Sequence, residues 1–568
     1  MVRIGRSYVS GASDTPLLGI TIGDLFDEIA DRYGDHEALV VRHQARRYTY
    51  RALREEVDRC ARALMALGVA KGERVGIWAP NCAEWAIVQF ATAKIGAILV
   101  NINPSYRTHE VRYALAQSGC AYAVIAPRFR TSDYTAMLHE LAPELAGAAP
   151  GGLAAAALPD LRAVIRLGAE PSPGMLTWDA LLALAEGVGA DALAARQRQG
   201  EFDEPINIQY TSGTTGYPKG ATLSHHNILN NGHFVAELMR FTHRDRLVIP
   251  VPLYHCFGMV MGNLGCLTHG ATMIYPSDGF DPESVLAAVQ AERATALYGV
   301  PTMFIAELGH PDFARYDLTS LRTGIMAGSP CPVEVMKKVQ SLMNMREVEI
   351  AYGMTETSPV STQTRVGAPL DKQVGTVGQV HPHVEVKIID PATGAVVPVG
   401  ERGELCTRGY SVMLGYWNNE EATRGAIDAA RWMHTGDLAV MDDEGYLNIV
   451  GRIKDMIIRG GENVYPREVE EFLYTHPKVQ DVQVIGVPDT RYGEEVMAWV
   501  RLREGEAATA EEIREFCRGR IARYKVPRYV KFVEAFPMTV TGKVQKFLMR
   551  EQSVEELGLG AAAAVKTA

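Results

Sequence analysis

The sequence predicts an α/β protein with a large N-terminal part and a small α+β C-terminal part. Between residues 74 and 126, apolar runs of strand length alternate with segments of helical periodicity, the pattern that builds parallel sheets. The length of 568 residues exceeds what one hydrophobic core serves, so two or more folding units are expected. After EGYLNIVGRIKDMIIRGGENVYP the pattern changes to a compact run of strands and helices.

Each element has a local reason. In residues 49–68, TYRALREEVDRCARALMALG, apolar Leu53, Val57, Ala61, Leu64 and Met65 recur at helical spacing and Gly68 is a natural stop. ERVGIWAP reads as a strand, AEWAIVQFATAKIGA as a helix and AILVNIN as a strand; THEVRYALAQSG and AYAVIA repeat the alternation. The stretch from 141 to 200 is rich in Ala and Gly, and is expected to be a variable surface excursion away from any active site. In the C-terminal part Pro466 is placed to open a helix over REVEEFLYTH. VQDVQVIGV and VMAWVRL read as strands. Thr509 and Glu512 form a capping box before a helix carrying Ile513, Phe516, Cys517 and Ile521. The terminal AAAAVKTA is expected to fray.

Composition excludes several classes. Apolar residues make up 47% and charged residues 22%, with a net charge of −10, a globular balance. No Lys/Arg block supports nucleic acid as a partner, though a single pocket can be positive on an acidic protein. Eight cysteines, at 60, 82, 120, 256, 266, 331, 406 and 517, show no CxxC pair and no Cys/His ligand spacing, so neither structural zinc nor a disulfide framework is expected. Reduced thiols in a cytoplasm fit best. No run approaches a membrane span. Arg3, Arg6, Ser7 and Ser10 would suit a mitochondrial presequence, but Asp14 follows soon; the matrix is the alternative compartment. The oligomeric state is left open, a homodimer included.

The most informative segment is YTSGTTGYPKGA, residues 210–221. Thr211, Ser212, Thr214 and Thr215 supply hydroxyl donors, Gly213, Gly216 and Gly220 let backbone approach a ligand, and Lys219 adds a cation. Such a nest suits a polyphosphate. It is not a Walker A loop, because Lys219 is followed by Gly220 rather than Ser/Thr.

This string resembles the signature of the adenylate-forming superfamily, which joins acyl- and aryl-CoA synthetases, peptide-synthetase adenylation domains and firefly-type luciferases. AYGMTET (351–357), GELCTRGYSVMLGYW (403–417), HTGDL (434–438), GRIKDMIIRGGENVYP (451–466) and PMTVTGKVQK (537–546) match further motifs in order. The resemblance covers about residues 25 to 550. It implies an N-terminal domain, 1–453, of stacked α/β sheets with a β-rich subdomain, holding ATP and the acyl group. It also implies a mobile lid domain, 454–568, carrying the catalytic lysine and a CoA-facing loop.

The implied reaction is ATP-dependent acid–CoA ligation. A carboxylate is a poor acyl donor, and an acyl-adenylate is a good one. Two anions, carboxylate and α-phosphate, must meet, so the protein must supply positive charge and aligned donors. By resemblance, Glu356 is the Mg²⁺ ligand, a role that suits a carboxylate. Thr355 contacts the α-phosphate, and Tyr352 with Gly353 meets adenine. Asp437 accepts the ribose hydroxyls and Arg452 is the second ribose contact. Lys543 bridges carboxylate and α-phosphate as charge develops. Lys454 is the hinge, and Arg459, Gly460 and Gly461 face the acyl-adenylate and CoA after the lid rotates.

VPLYHCFGMVMGNLGCL (251–267) is expected to line the acid pocket, with His255 as its gate. Gly258, Gly262 and Gly265 beside Met259, Met261 and Leu264, with GVPTMF (299–304) and the Gly328–Ser329 turn of MAGSP, suggest an open apolar site. That suits a linear aliphatic acid. Four buried methylenes contribute about 3 kcal/mol, roughly 200-fold in affinity. The branch most resembled is the medium-chain fatty-acid CoA ligases. The alternatives are an aryl-acid CoA ligase and a stand-alone adenylation enzyme that loads a carrier protein.

Overall fold

A computed structural model describes residues 5–149, 151–211, 218–329, 331–459, 462–518, 520–539 and 543–560. The expected alternation folds into two large sheets. In an eight-stranded sheet, Arg74–Trp78 lies between Ile98–Asn101 and Cys120–Ile125, all parallel, and Pro205–Thr211 follows Ile98–Asn101. A nine-stranded sheet centres on Arg246–Val248, Ala296–Gly299, Thr323–Ala327 and Glu347–Gly353, again parallel.

One apolar cluster joins the two sheets. Between them lies the helix Ala83–Ile95, every residue of which is buried; a helix that is apolar nearly all round is what a site covered on both sides requires. The helix Tyr50–Ala66 is capped by Thr49, whose hydroxyl accepts from the Ala52 amide at 3.2 Å. Its Leu53, Val57, Ala61 and Leu64 are fully buried, as their spacing predicts.

Residues 141–200 depart from expectation. Ala163–Arg166 adds to the eight-stranded sheet beside Cys120–Ile125, and Leu176–Thr177 extends it. Leu153, Leu158, Leu161, Trp178 and Leu181 are buried in the main core. Alanine and glycine enrichment masked a strand of only four residues, which composition does not register.

A five-stranded antiparallel sheet follows, in the order Tyr8–Ser10, Val384–Ile389, Arg402–Gly409, Met433–Met441, Leu447–Arg452. A short turn, Ile453–Asp455, then leads to a separate sheet built from Ile457–Arg459, Glu462–Val464, Val479–Asp489, Gly493–Leu502 and Tyr529–Phe532. The helix Pro466–Tyr474 opens on its proline as expected. The Glu512 amide donates to Thr509 Oγ1 at 3.1 Å, but the Glu512 carboxylate pairs with Lys478 at 2.8 Å instead of closing a capping box. That helix ends at Cys517, so Ile521 lies beyond it. All eight cysteines are free and buried. Among the described residues no helix is long and apolar enough to cross a membrane.

Candidate active site

Strand pairing assembles the site. Pro205–Thr211 and Lys219–Ser224 form a hairpin that sets Thr211 opposite Lys219, so the two ends of the Gly/Ser/Thr-rich segment are fixed by a ladder. Ser212, Gly213, Thr214, Thr215 and Gly216 lie outside the described residues, as do Gly460 and Gly461. On the next strand Tyr416 pairs with Ala221. The Lys219 ammonium sits 5.2 Å from the Tyr416 ring centroid, a cation–π distance.

Glu356 occupies the short turn Thr355–Thr357, which follows the strand Glu347–Gly353. It is 5% exposed. Its Oε1 accepts from the Thr211 hydroxyl at 3.2 Å and the Tyr416 hydroxyl at 2.9 Å. Two fixed donors therefore orient a nearly buried carboxylate beside the ends of this hairpin. Tyr416 was not singled out by the sequence reading. Its place inside the GELCTRGYSVMLGYW string was the available signal.

Gly353 has a steric reason. A Cβ there would lie 1.7 Å from the Pro359 carbonyl oxygen, so only glycine permits the strand to close on its neighbour. Gly328, next to Ser329, has φ +90°, a left-handed conformation that glycine adopts without strain. The Tyr352 hydroxyl donates to Asp437 Oδ2 at 2.8 Å, and Arg452 Nε lies 2.9 Å from Asp437 Oδ1. The antiparallel register sets Asp437 opposite Arg452. Asp437 is 6% exposed, so its charge is held by two directed partners rather than by bulk water.

His255 precedes a π-helical segment, Phe257–Leu264. Its Nδ1 accepts from the Phe257 amide at 3.2 Å. Burial, then the neighbouring Lys543 ammonium, pushes its pKa down to about 4, so the imidazole is neutral near pH 7. The adjacent Cys256 thiol donates to Gln209 Oε1 at 3.1 Å and also faces the Thr355 hydroxyl. Gln209 donates in turn to Asn207 Oδ1, and Asn207 to Asn101 Oδ1, both at 2.9 Å. This buried amide ladder ties the strand Pro205–Thr211 to the His255 loop, since Asn101 also donates to the Tyr254 carbonyl at 2.9 Å.

The glycines expected to open the acid pocket do something else. A Cβ on Gly258 would lie 2.5 Å from the Pro252 carbonyl oxygen, and one on Gly262 2.9 Å from Ile249 Cδ1. Gly265 faces the Gly232 carbonyl at 3.4 Å. These positions let the π-helical segment pack against backbone and side chains; they are not space left for a ligand.

Lys543 reaches this cleft from the C-terminal part. The residue as a whole is exposed, although its ammonium has many protein neighbours. Burial, then Arg452, pushes its pKa down to about 8, with Asp437 and Glu356 pulling the other way and Lys454 adding to the depression. The Lys454 pKa is itself lowered, by partial burial first and then by Arg452. Glu356, Asp437, Arg452, Lys454, Lys543 and His255 thus share one electrostatic neighbourhood, although they come from three different sheets and the loops between them.

Comparison with known proteins agrees with this geometry. The model of the AMP-binding enzyme family matches residues 26–417, and that of the AMP-binding enzyme C-terminal domain matches 468–543. A Bacillus subtilis (strain 168) protein named as an acyl-CoA synthetase, YngI, is 51% identical over 543 residues, 96% of this chain and 99% of that protein. The mitochondrial medium-chain acyl-CoA ligase ACSF2 of Danio rerio is 48% identical over 558 residues, covering 97% of this chain and 91% of that one. The crystal structure of the anthranilate CoA ligase AuaEII with anthranoyl-AMP superposes with a TM-score of 0.84 at 27% identity, covering 96% of this chain and 99% of that one. The chain belongs to the AMP-binding enzyme family of adenylate-forming proteins.

Proposed function

We propose that the protein is an ATP-dependent fatty-acid CoA ligase acting on medium-chain acids. The carboxylate attacks the α-phosphorus of ATP and pyrophosphate leaves. The CoA thiol then attacks the acyl carbonyl and AMP leaves. The observation that carries the reading is the convergence of Lys543, from the C-terminal part, on Arg452, Asp437, Glu356 and His255. A cation there can bridge two anions as they approach.

The remaining roles follow from the contacts. Asp437, fixed by Tyr352 and Arg452, is suited to accept both ribose hydroxyls, and the Tyr352 ring to flank adenine. The neutral His255 can stand beside a carboxylate without holding it in a salt bridge. Thr211 and Lys219, paired at the ends of the hairpin, are suited to the β- and γ-phosphates. Glu356, a buried carboxylate with one oxygen pinned by two hydroxyls, fits a magnesium ion, which prefers oxygen ligands. Such an ion would neutralise phosphate charge. The boundary between the working units is proposed at 453/454, where the turn Ile453–Asp455 joins two separate sheets.

Relatives of about half-identical sequence named as acyl-CoA synthetase and medium-chain acyl-CoA ligase support the aliphatic substrate. The likeness to an anthranilate CoA ligase keeps an aryl acid as the second reading. The test is AMP release with MgATP and octanoate, with and without CoA. Release that needs both octanoate and CoA is expected. Release with benzoate or anthranilate but not octanoate would move the substrate to aryl acids, and absence of release with any acid would overturn the proposal.

A further inference from the structure

The HTGDL strand carries a second cluster that the ligase chemistry does not use. Glu404 and Cys406 alternate on the strand Arg402–Gly409, and the antiparallel register sets Cys406 opposite His434. A register shift falls between Glu404 and Cys406, so both side chains can address the same partner. His434 Nδ1 lies 3.0 Å from Glu404 Oε2 and 3.6 Å from Cys406 Sγ. All three donor atoms lie within 4.8 Å of one another.

We propose that Glu404, Cys406 and His434 form a binding site for a divalent ion of the zinc class. Three features support it. First, one imidazole nitrogen cannot satisfy both a carboxylate and a thiol, because it offers either one N–H or one lone pair; a cation satisfies all three groups together. Second, the N–S separation of 3.6 Å matches a tetrahedral edge and the N–O separation of 3.0 Å is somewhat shorter than one. With ordinary zinc bond lengths the N–O edge is about 3.4 Å and the N–S edge about 3.6 Å. Third, the outer oxygen of Glu404 is already held, and a carboxylate stands near the outer nitrogen of His434. Glu404 Oε1 accepts from the Gly436 amide at 3.1 Å. Asp428 Oδ2 stands 3.8 Å from His434 Nε2, on the far side of the ring. Asp428 is itself fixed by amides of Ala430 and Trp432, at 2.9 and 2.8 Å. A carboxylate behind the imidazole is the usual orienting partner of a metal-bound histidine.

The sulfur donor selects zinc, cobalt or cadmium over magnesium. Binding releases the thiol proton to solvent and forms a metal–thiolate bond. The His434 side chain is 32% exposed, which gives an entry path and room for water in the fourth position. Through Glu404 and Gly436 the site is one residue from Asp437.

The test uses the full-length protein, freed of metal with a chelator and titrated with Co²⁺. Stoichiometric uptake with a thiolate-to-cobalt charge-transfer band in the near ultraviolet is expected, with Zn²⁺ displacing it and Mg²⁺ not. Cys406→Ser should abolish the band while retaining octanoate-dependent AMP release, which reports that the variant is folded. Asp428→Asn should weaken Co²⁺ affinity about tenfold or more. No band in the wild-type protein, or a band that persists in Cys406→Ser, would overturn the proposal and leave His434–Glu404 as a simple ion pair.

Discussion

Adenylation should fall as the medium is made alkaline, because its bridging cation titrates unusually low. Lys543 is brought from an ordinary 10.5 to about 8, by burial first and then by Arg452 and Lys454, against the pull of Asp437 and Glu356. The active form is the protonated one, so activity is present below this value and lost above it. With a pKa of about 8, the charged fraction drops from about nine-tenths at pH 7 to about one-tenth at pH 9, roughly a tenfold loss. His255, at about 4, stays neutral over the same range and contributes no limb there. Bound ATP and acid are anionic and raise the pKa of the lysine, so the limb in kcat should lie more alkaline than the limb in kcat/KM. The assay is pyrophosphate release from MgATP and octanoate without CoA, followed from pH 6.5 to 10. Lys543→Arg keeps a charge that does not titrate in this range, so its rate should be lower but its profile flat. A wild-type profile flat to pH 9.5, or an unchanged limb in Lys543→Arg, would refute the assignment.

Four other outcomes follow from named contacts. Tyr416→Phe removes a 2.9 Å donor from Glu356. A hydrogen bond to a charged group contributes about 1.5–3 kcal/mol, so the Mg²⁺ concentration at half-maximal rate should rise about tenfold or more with little change in Tm. Lys543→Ala should abolish adenylation and largely spare thioester formation from supplied acyl-AMP; equal loss in both half-reactions, measured separately, counts against two arrangements of the C-terminal part. Lys454→Pro, which stiffens the turn Ile453–Asp455, should spare adenylation and block CoA transfer, and full overall turnover would sink the hinge. Gly258→Ala drives a methyl to 2.5 Å from the Pro252 carbonyl. Overpacking of this kind costs about 1–3 kcal/mol, visible as a lowered Tm; an unchanged Tm would mean the π-helical segment can yield.

The sequence exposed what depends on short strings and hid what depends on pairing across long separations. Glu356, Asp437 and Lys543 stand in motifs whose chemistry could be argued residue by residue, and all three meet in one cleft. Tyr416 was hidden because its partner Glu356 is 60 residues away, and the two meet only through a sheet order that no local pattern encodes. The amide ladder Asn101–Asn207–Gln209–Cys256 was hidden for the same reason. The glycines at 258 and 262 misled, because absence of a side chain reads alike whether the space is taken by a ligand or by backbone. The strand Ala163–Arg166 was lost in an Ala/Gly-rich stretch whose periodicity is too short to register.

The charge pattern of the C-terminal part bears on the two proposed arrangements. Lys543 has its electrostatic neighbours, Arg452, Asp437, Glu356 and His255, in the N-terminal part. Arg459, from the segment expected to face CoA, has its partners in its own sheet: Glu495 at 2.7 and 2.8 Å and the Tyr492 ring at 4.4 Å. Among the described residues, Lys543 thus lies beside Glu356 and Asp437, whereas Arg459 is held on its own part of the chain. A single rigid arrangement would have to keep Lys543 against the acyl phosphate while CoA approached the same carbonyl. In the proposed cycle, rotation about the short turn at Lys454 would remove the lysine and exchange one face of the small sheet for another. Separate measurement of the two half-reactions in Lys454→Pro thus tests the arrangement, because that variant keeps Glu356, Asp437, Arg452 and Lys543 and stiffens the turn, and Lys454→Ala controls for the lost ammonium.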